Sequence, residues 1–346
     1  MSRSVFDDSL KEYNKALEDD FFNEFPYLKP FLNFYYYGES DVKPLTYAEG
    51  RLRRENKLYR STNYFYQNKN NPDHKFLHFT SLSSLLAILH SQAIRLQSLN
   101  KMNDPNEINF AADLFQLKTD FVENHKKSVL SLSLCEYQSN DPEIALNINN
   151  LDLWRFYGLD GNGIAIKLKI INDPLLWDSY HMASIQYGKD SLIFWSNIKA
   201  KLNGFKSKYP ELYIHFIKLF CFHKNIHYKN EQEVRLIFAA DYNNITDDLL
   251  YPSTSLEDEK YPQIIKKHNY FINELFLART NLTQTQKWYS ENTPQIVIDG
   301  IILGYRFKEE ELNMYRDIFN AIIKKAGGDE LEESKIIITE LNKYYR

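Results

Sequence analysis

The stretch Tyr228-Lys229-Asn230-Glu231-Gln232-Glu233-Val234-Arg235-Leu236-Ile237-Phe238 decides how the rest of the chain is read. Its end alternates at period two. Gln232, Val234, Leu236 and Phe238 fall on one side of a strand, and Glu231, Glu233, Arg235 and Ile237 on the other. Two carboxylates and a guanidinium on one side of an otherwise apolar strand have two physical readings. One is a Glu–Arg pair at a sheet edge, and the other is a carboxylate kept for catalysis. What the remaining strands bring to the same face separates the two.

Composition sets the frame. With 43% apolar residues in 346, the chain can bury a sizeable core. Aromatic residues make up 15%, which argues against disorder. The formal net charge of −4 gives no bulk attraction to nucleic acid, so any such contact needs a local basic patch. Cys135 and Cys221 lie far apart in apolar segments and read as free thiols. The first residues do not resemble a signal peptide, and no apolar run reaches the roughly 18–20 residues of a membrane span. A cytoplasmic protein without membrane contact is expected.

Residues 5–37 read as helical, with Phe6, Leu10, Tyr13 and Leu17 at helical spacing and the pattern broken by Pro26 and Pro30. Arg51, Arg53, Arg54 and Lys57 form the most basic local cluster, and 61–74 reads as a linker. The expected division is therefore an aromatic-rich N-terminal extension over 1–74 and a main α+β domain over 75–346. A helical insertion is expected near 189–226. Within the main domain Phe76–Thr80 is a short strand, and a serine caps a helix with Leu82, Leu85, Leu86 and Leu89 on its apolar face. Ala93–Gln97 is a second strand. Asn103-Asp104-Pro105-Asn106-Glu107 carries the capping signals of a helix start. Ser128–Cys135 alternates leucines with small and hydroxyl-bearing residues. Asp152–Tyr157 is a short helix bearing Trp154, Arg155 and Tyr157, followed by a turn at Gly158–Gly163 and a strand from Ile164. Residues 190–225 read as one or two long helices, and 256–279 as another. Gln295–Leu303 is a buried strand interrupted by Gly300, 307–326 a helix ended by Gly327-Gly328, and Ile336–Ile338 a last strand. Without regular βαβ spacing, the sheet is expected to be mixed or antiparallel.

The chain has no phosphate loop, no Gly-x-Gly-x-x-Gly, no His-Glu-x-x-His, no Cys-x-x-Cys and no Gly-x-Ser-x-Gly. Three strands share a different property, an apolar side opposite a polar one. The polar sets are His78 with Thr80, Ser131 with Ser133, and Glu231 with Glu233 and Arg235. Converging, they would line a cleft able to hold a polyhydroxylated ligand such as a ribose.

The order His78-x-Thr80, leucine-rich helix, strand, Asn103-Asp104-Pro105-x-Glu107 resembles a widespread bacterial domain of unknown function. Ser131-x-Ser133, Leu153-Trp154-Arg155-Phe156-Tyr157-Gly158, Glu231-x-Glu233-x-Arg235 and Ile301-Ile302-Leu303-Gly304 extend that resemblance over most of 75–305. More distantly, the His-x-Thr strand and its helix are similar to the start of ADP-ribosyltransferases, of the DNA-targeting toxin and tRNA 2′-phosphotransferase type. The Ser-x-Ser and Glu-x-Glu strands are similar to the arginine-directed branch, which has Arg where this chain has His78.

The resemblance implies a split sheet around a central cleft with flanking helices, and NAD as co-substrate. By position, His78 would contact the adenosine ribose of NAD, and Ser131 and Ser133 would shape the cleft. Thr80 and Arg155 join the NAD-contacting set, and Tyr157 would stack on nicotinamide. Glu233 would be catalytic and Glu231 would orient the acceptor, with the choice between the two glutamates open. The acceptor would be nucleic acid or protein, and no metal is expected. A bacterial toxin or anti-phage effector of this kind would need an antitoxin or regulatory partner. The alternatives are a non-catalytic interaction module of the same fold and an NAD glycohydrolase.

Overall fold

The computed structural model describes residues 3–25, 32–37, 45–50, 75–99, 129–138, 147–172, 180–209, 220–238, 264–267, 270–277 and 293–345, with short pieces at 108–109, 113, 116, 122–123, 126, 177 and 213–215. The chain forms two compact units. The first comprises 1–67, 103–126 and 185–229, and the second 68–102, 127–184 and 230–346. The insertion expected near 189–226 thus groups with the N-terminal residues.

In the first unit the helices Arg3–Glu24 and Lys189–Lys208 pack through aromatic rings. Phe21 meets Phe205 edge to face at 5.1 Å between centroids, and Leu17, Phe25 and Leu202 are buried with them. Asp20 accepts hydrogen bonds from Lys208 and Tyr209, and these bonds hold its carboxyl below the usual range. The expected helix over 5–37 stops at Glu24, and Leu32–Tyr37 is a strand antiparallel to Leu45–Gly50. The expected helices over 190–225 likewise end at Lys208, followed by short strands at Tyr213–His215 and His223–Lys224.

The second unit is built on a ten-stranded sheet. Its strands are β1 (Lys75–Thr80), β2 (Ala93–Ser98), β3 (Leu130–Glu136), β4 (Ile164–Ile170), β5 (Tyr180–Ser184), β6 (Glu233–Phe238), β7 (Ile264–Lys267), β8 (Tyr270–Phe276), β9 (Ile296–Leu303) and β10 (Ile336–Ile338). Its helices are α1 (Leu82–Ser91), α2 (Leu151–Phe156) and α3 (Leu312–Lys325). The order is β7-β8-β2-β3-β1-β4-β9-β10, with β6 paired to both β3 and β5. Among the described strand pairs of this sheet only β9–β10 is parallel. The architecture is thus mixed α/β with a mostly antiparallel open sheet. No helix among the described residues is long and apolar enough to cross a membrane.

One irregularity positions everything that follows. β6 pairs with β3 along Leu130–Cys135. The other edge of β3 is shared. β2 takes its start at Leu130–Ser131, and β1 takes its end at Cys135–Glu136. No described strand pairs with Leu132–Leu134 on that edge, so the sheet splits there.

Local sequence explains most of these elements. Ser81 caps α1 by accepting from the Ser84 amide at 3.0 Å. Asn150 caps α2, and Trp154 packs edge to face on Phe79 at 5.0 Å. The Trp154 indole N–H donates to the Ile148 carbonyl at 2.6 Å, which also accepts from the Thr339 hydroxyl at 2.8 Å. This cluster, with Leu77, Cys135, Leu153, Ala165, Ile302 and Tyr305, is the core under α2. The helix expected over 256–279 is instead the hairpin of β7 and β8. Ile264, Ile265, Tyr270, Phe271 and Ile272 are β-branched or aromatic and suit strands. The helix-start signals at 103–107, the basic cluster at 51–57 and the linker at 61–74 lie outside the described residues.

After α2 the chain turns through Leu159, Asp160 and Gly161 at φ of 50°, 51° and 81°. Tyr305 donates to Asp160 Oδ1 at 2.8 Å, and Arg306 pairs with its other oxygen. A Cβ at Gly304 would sit 2.2 Å from the Gly161 carbonyl oxygen. Since that obstacle is backbone, Gly304→Ala should destabilise the second unit by about 2 kcal/mol, read as a lower urea midpoint with an unchanged slope.

Candidate functional site

The decisive strand begins two residues later than its alternation suggests. Ile226–Glu231 is a 3-10 segment, and Gln232 takes φ of 46°, so β6 starts at Glu233. Glu231 therefore leaves the face shared by Glu233 and Arg235. The bend is anchored at Asn147, which is fully buried. Its Nδ2 donates to the Glu136 carbonyl at 2.8 Å and to Gln232 Oε1 at 3.2 Å, pinning the bend. Glutamine is not a residue that marks left-handed turns, so the sequence carries no signal for it.

Glu233 and Arg235 point inward. Arg235 Nε donates to Glu233 Oε1 at 2.9 Å and its terminal nitrogen donates to Oε2 at 3.0 Å. Their side chains are 0% and 3% exposed. Ser133, directly across from Arg235, donates to Glu233 Oε1 at 2.6 Å. A carboxylate this deep is tolerable only with such charge-assisted partners.

His78 reaches the same place from the other side of the split. Its Nδ1 lies 3.1 Å from the Ser133 carbonyl oxygen. A carbonyl only accepts, so Nδ1 carries the proton and Nε2 is the acceptor face of a neutral ring. No described residue takes up Nε2. Burial pushes the His78 pKa down, partly offset by the bond to Ser133.

The register limits how far the expected faces converge. Glu233, Cys135 and Leu77 are directly paired in a row, so their side chains share one face. His78 is one residue further and belongs to the other face. His78 and Thr80 therefore do not lie on one wall with Ser133 and Glu233. Contact between the two sets runs through the Ser133 backbone. Thr80 ends β1 opposite Ile164. Ser131 shares the Ser133 face, 3% exposed, with no hydrogen-bond partner for its hydroxyl.

Tyr157 packs against the α2 core and donates its hydroxyl to Glu231 Oε1. It anchors a carboxylate, a role different from the expected stacking. Arg155 is exposed on α2. Cys135 is no nucleophile: burial, and then Glu233, Glu136 and Glu231, raise its thiol far above the ordinary range. No metal-binding cluster of His, Cys, Asp or Glu occurs among the described residues.

No protein-family model, curated protein or solved structure matches the chain.

Two outcomes follow from this geometry. Arg235→Met strands a buried carboxylate and should cost about 3–5 kcal/mol, whereas Glu233→Leu combined with Arg235→Met should recover most of it in urea titrations. The depressed His78 pKa means that the unfolded state takes up the proton first. Its stabilisation is full above the unfolded value near pH 6.5 and is lost as pH falls through the folded value. His78→Gln should therefore lose less stability than the wild type between about pH 7 and pH 5, compared by urea midpoints.

Proposed function

We propose that the chain is an NAD-dependent ADP-ribosyltransferase, built on the split sheet of such enzymes and acting on a nucleic-acid or protein acceptor. The observation that supports this best is the hydrogen-bonded connection His78–Ser133–Glu233 at the split of β3. Its links join residues 55 and 100 positions apart in sequence. On its own face of the sheet the Nε2 of His78 can accept from a sugar hydroxyl, while Ser131, Ser133 and Glu233 stand on the opposite face. In the reaction the bond between C1′ and the nicotinamide nitrogen breaks, and nicotinamide leaves with the electron pair. The acceptor nucleophile donates a pair to C1′ and releases its proton. A fixed carboxylate stabilises the positive charge that develops on the sugar.

One observation favours a second reading, a non-catalytic interaction module. The buried Arg235 guanidinium engages both oxygens of Glu233. Glu231 is the more exposed of the two glutamates and is the alternative catalytic group.

Incubation of the full chain with labelled NAD and pools of nucleic acid and protein distinguishes these readings. On the transferase reading the wild type releases nicotinamide and labels one pool, and Glu233→Gln lowers release about 100-fold. Loss in Glu231→Gln alone would move the catalytic role to Glu231. Release without labelling would indicate a glycohydrolase. A wild type that releases no nicotinamide leaves the interaction module standing.

A further inference from the structure

The row that contains Glu233, Cys135 and Leu77 continues across the sheet to Lys167 and Gly300. At strand spacing the backbone positions of Lys167 and Glu233 are about 14 Å apart, on the same face. In the neighbouring row Lys75 lies directly opposite Lys169. Three lysines thus stand on two adjacent strands, in a chain whose net charge is negative.

A bulge in β9 supplies a counter-charge that Lys75 and Lys167 share. The register shifts between Ile298 and Gly300, and Asp299 occupies the extra position. Its Oδ2 lies 3.0 Å from Lys75 Nζ and 3.3 Å from Lys167 Nζ. Burial raises the Asp299 pKa, but the two ammoniums outweigh this and hold it below the ordinary range. Gly300 makes room for the arrangement. A Cβ there would meet the Lys335 carbonyl at 2.7 Å and the Lys167 stem at 3.1 Å. Lys167 Nζ also lies 5.1 Å from the centroid of Tyr137, whose hydroxyl has no described hydrogen-bond partner.

One carboxylate between the ammoniums of Lys75 and Lys167 leaves this trio with a net positive charge. The Lys75 and Lys167 side chains are only 25% and 17% exposed, so their charges are partly desolvated and weakly screened. An ammonium has three N–H donors, and Asp299 takes up only part of this capacity. The vacant donors and the phenol hydroxyl suit a ligand rich in anionic oxygens.

We propose that Lys75, Lys167 and Tyr137 form a phosphate-binding site, taking either the phosphodiester backbone of a nucleic acid or the diphosphate of a dinucleotide. The site does not depend on the transferase reading, because binding is measured without turnover.

The experiment uses the full chain and a fluorescent single-stranded 12-residue DNA, followed by anisotropy over a salt series. Pyrophosphate and NAD are titrated separately by calorimetry. For DNA, Lys75→Gln with Lys167→Gln should weaken binding at least tenfold at low salt. It should also flatten the salt dependence by about 0.7 log unit per lysine. Asp299→Asn should tighten binding, and Tyr137→Phe should weaken it without changing charge. These two variants decide the matter if the double replacement does not fold. The same pattern with pyrophosphate or NAD, and no DNA binding, would identify a small diphosphate as the source. Affinities unchanged across all variants, or no binding of any of the three probes by the wild type, would overturn the proposal.

Discussion

A guanidinium buried completely inside a sheet must find its counter-charge there, and this requirement organises the second unit. Arg235 takes Glu233 from its own strand, two residues back and on the same face. The pair still leaves carboxylate capacity to satisfy, and the hydroxyl of Ser133 on β3 contributes. β3 is thereby tied to β6 by side chains as well as by backbone. With one edge committed, its other edge is divided between β1 and β2. The split is closed on the β1 side by His78, whose ring supplies the N–H that no described strand offers to Ser133.

The same pair also frames the functional question. Breaking it would leave a charge in the dark, so its members cannot be exchanged singly without cost to folding. A carboxylate held by three donors is well oriented, and orientation is what a group that stabilises a developing cation requires. It is also strongly engaged, which is what an interaction module would show. Glu231, bonded to Tyr157 outside the strand, is the more exposed of the two glutamates.

Much of this was legible in the sequence where periodicity and chemistry agree. The leucines of β3 against its serines, the apolar stripe of α1 behind Ser81, and the strand from Ile164 all follow from spacing. Misreadings arose where two periods fit the same residues. Ile264, Ile265, Phe271, Ile272, Leu275 and Phe276 satisfy helical spacing, yet they lie in a hairpin whose cross-strand register pairs Ile265 with Ile272. Within the site, Ser133, Glu233 and Arg235 were legible as one face because pairing at period two carries over from strand to strand. The departure of Glu231 was not, since it depends on Asn147, 85 positions away, holding Gln232 in a left-handed bend. Nor was the opposition of His78 to that face, because register across β1 and β3 is a property of the folded sheet. Asp299 was hidden for the same reason: a bulge aims it at lysines on two other strands.

The tautomer of His78 has one more consequence. Its Nδ1 proton is already engaged by the Ser133 carbonyl, so any further proton must arrive at Nε2. The imidazole can thus gain a positive charge while keeping the bond that closes the split. Shape and charge at this junction are uncoupled: acidification would change what the junction attracts before it changes where its strands lie.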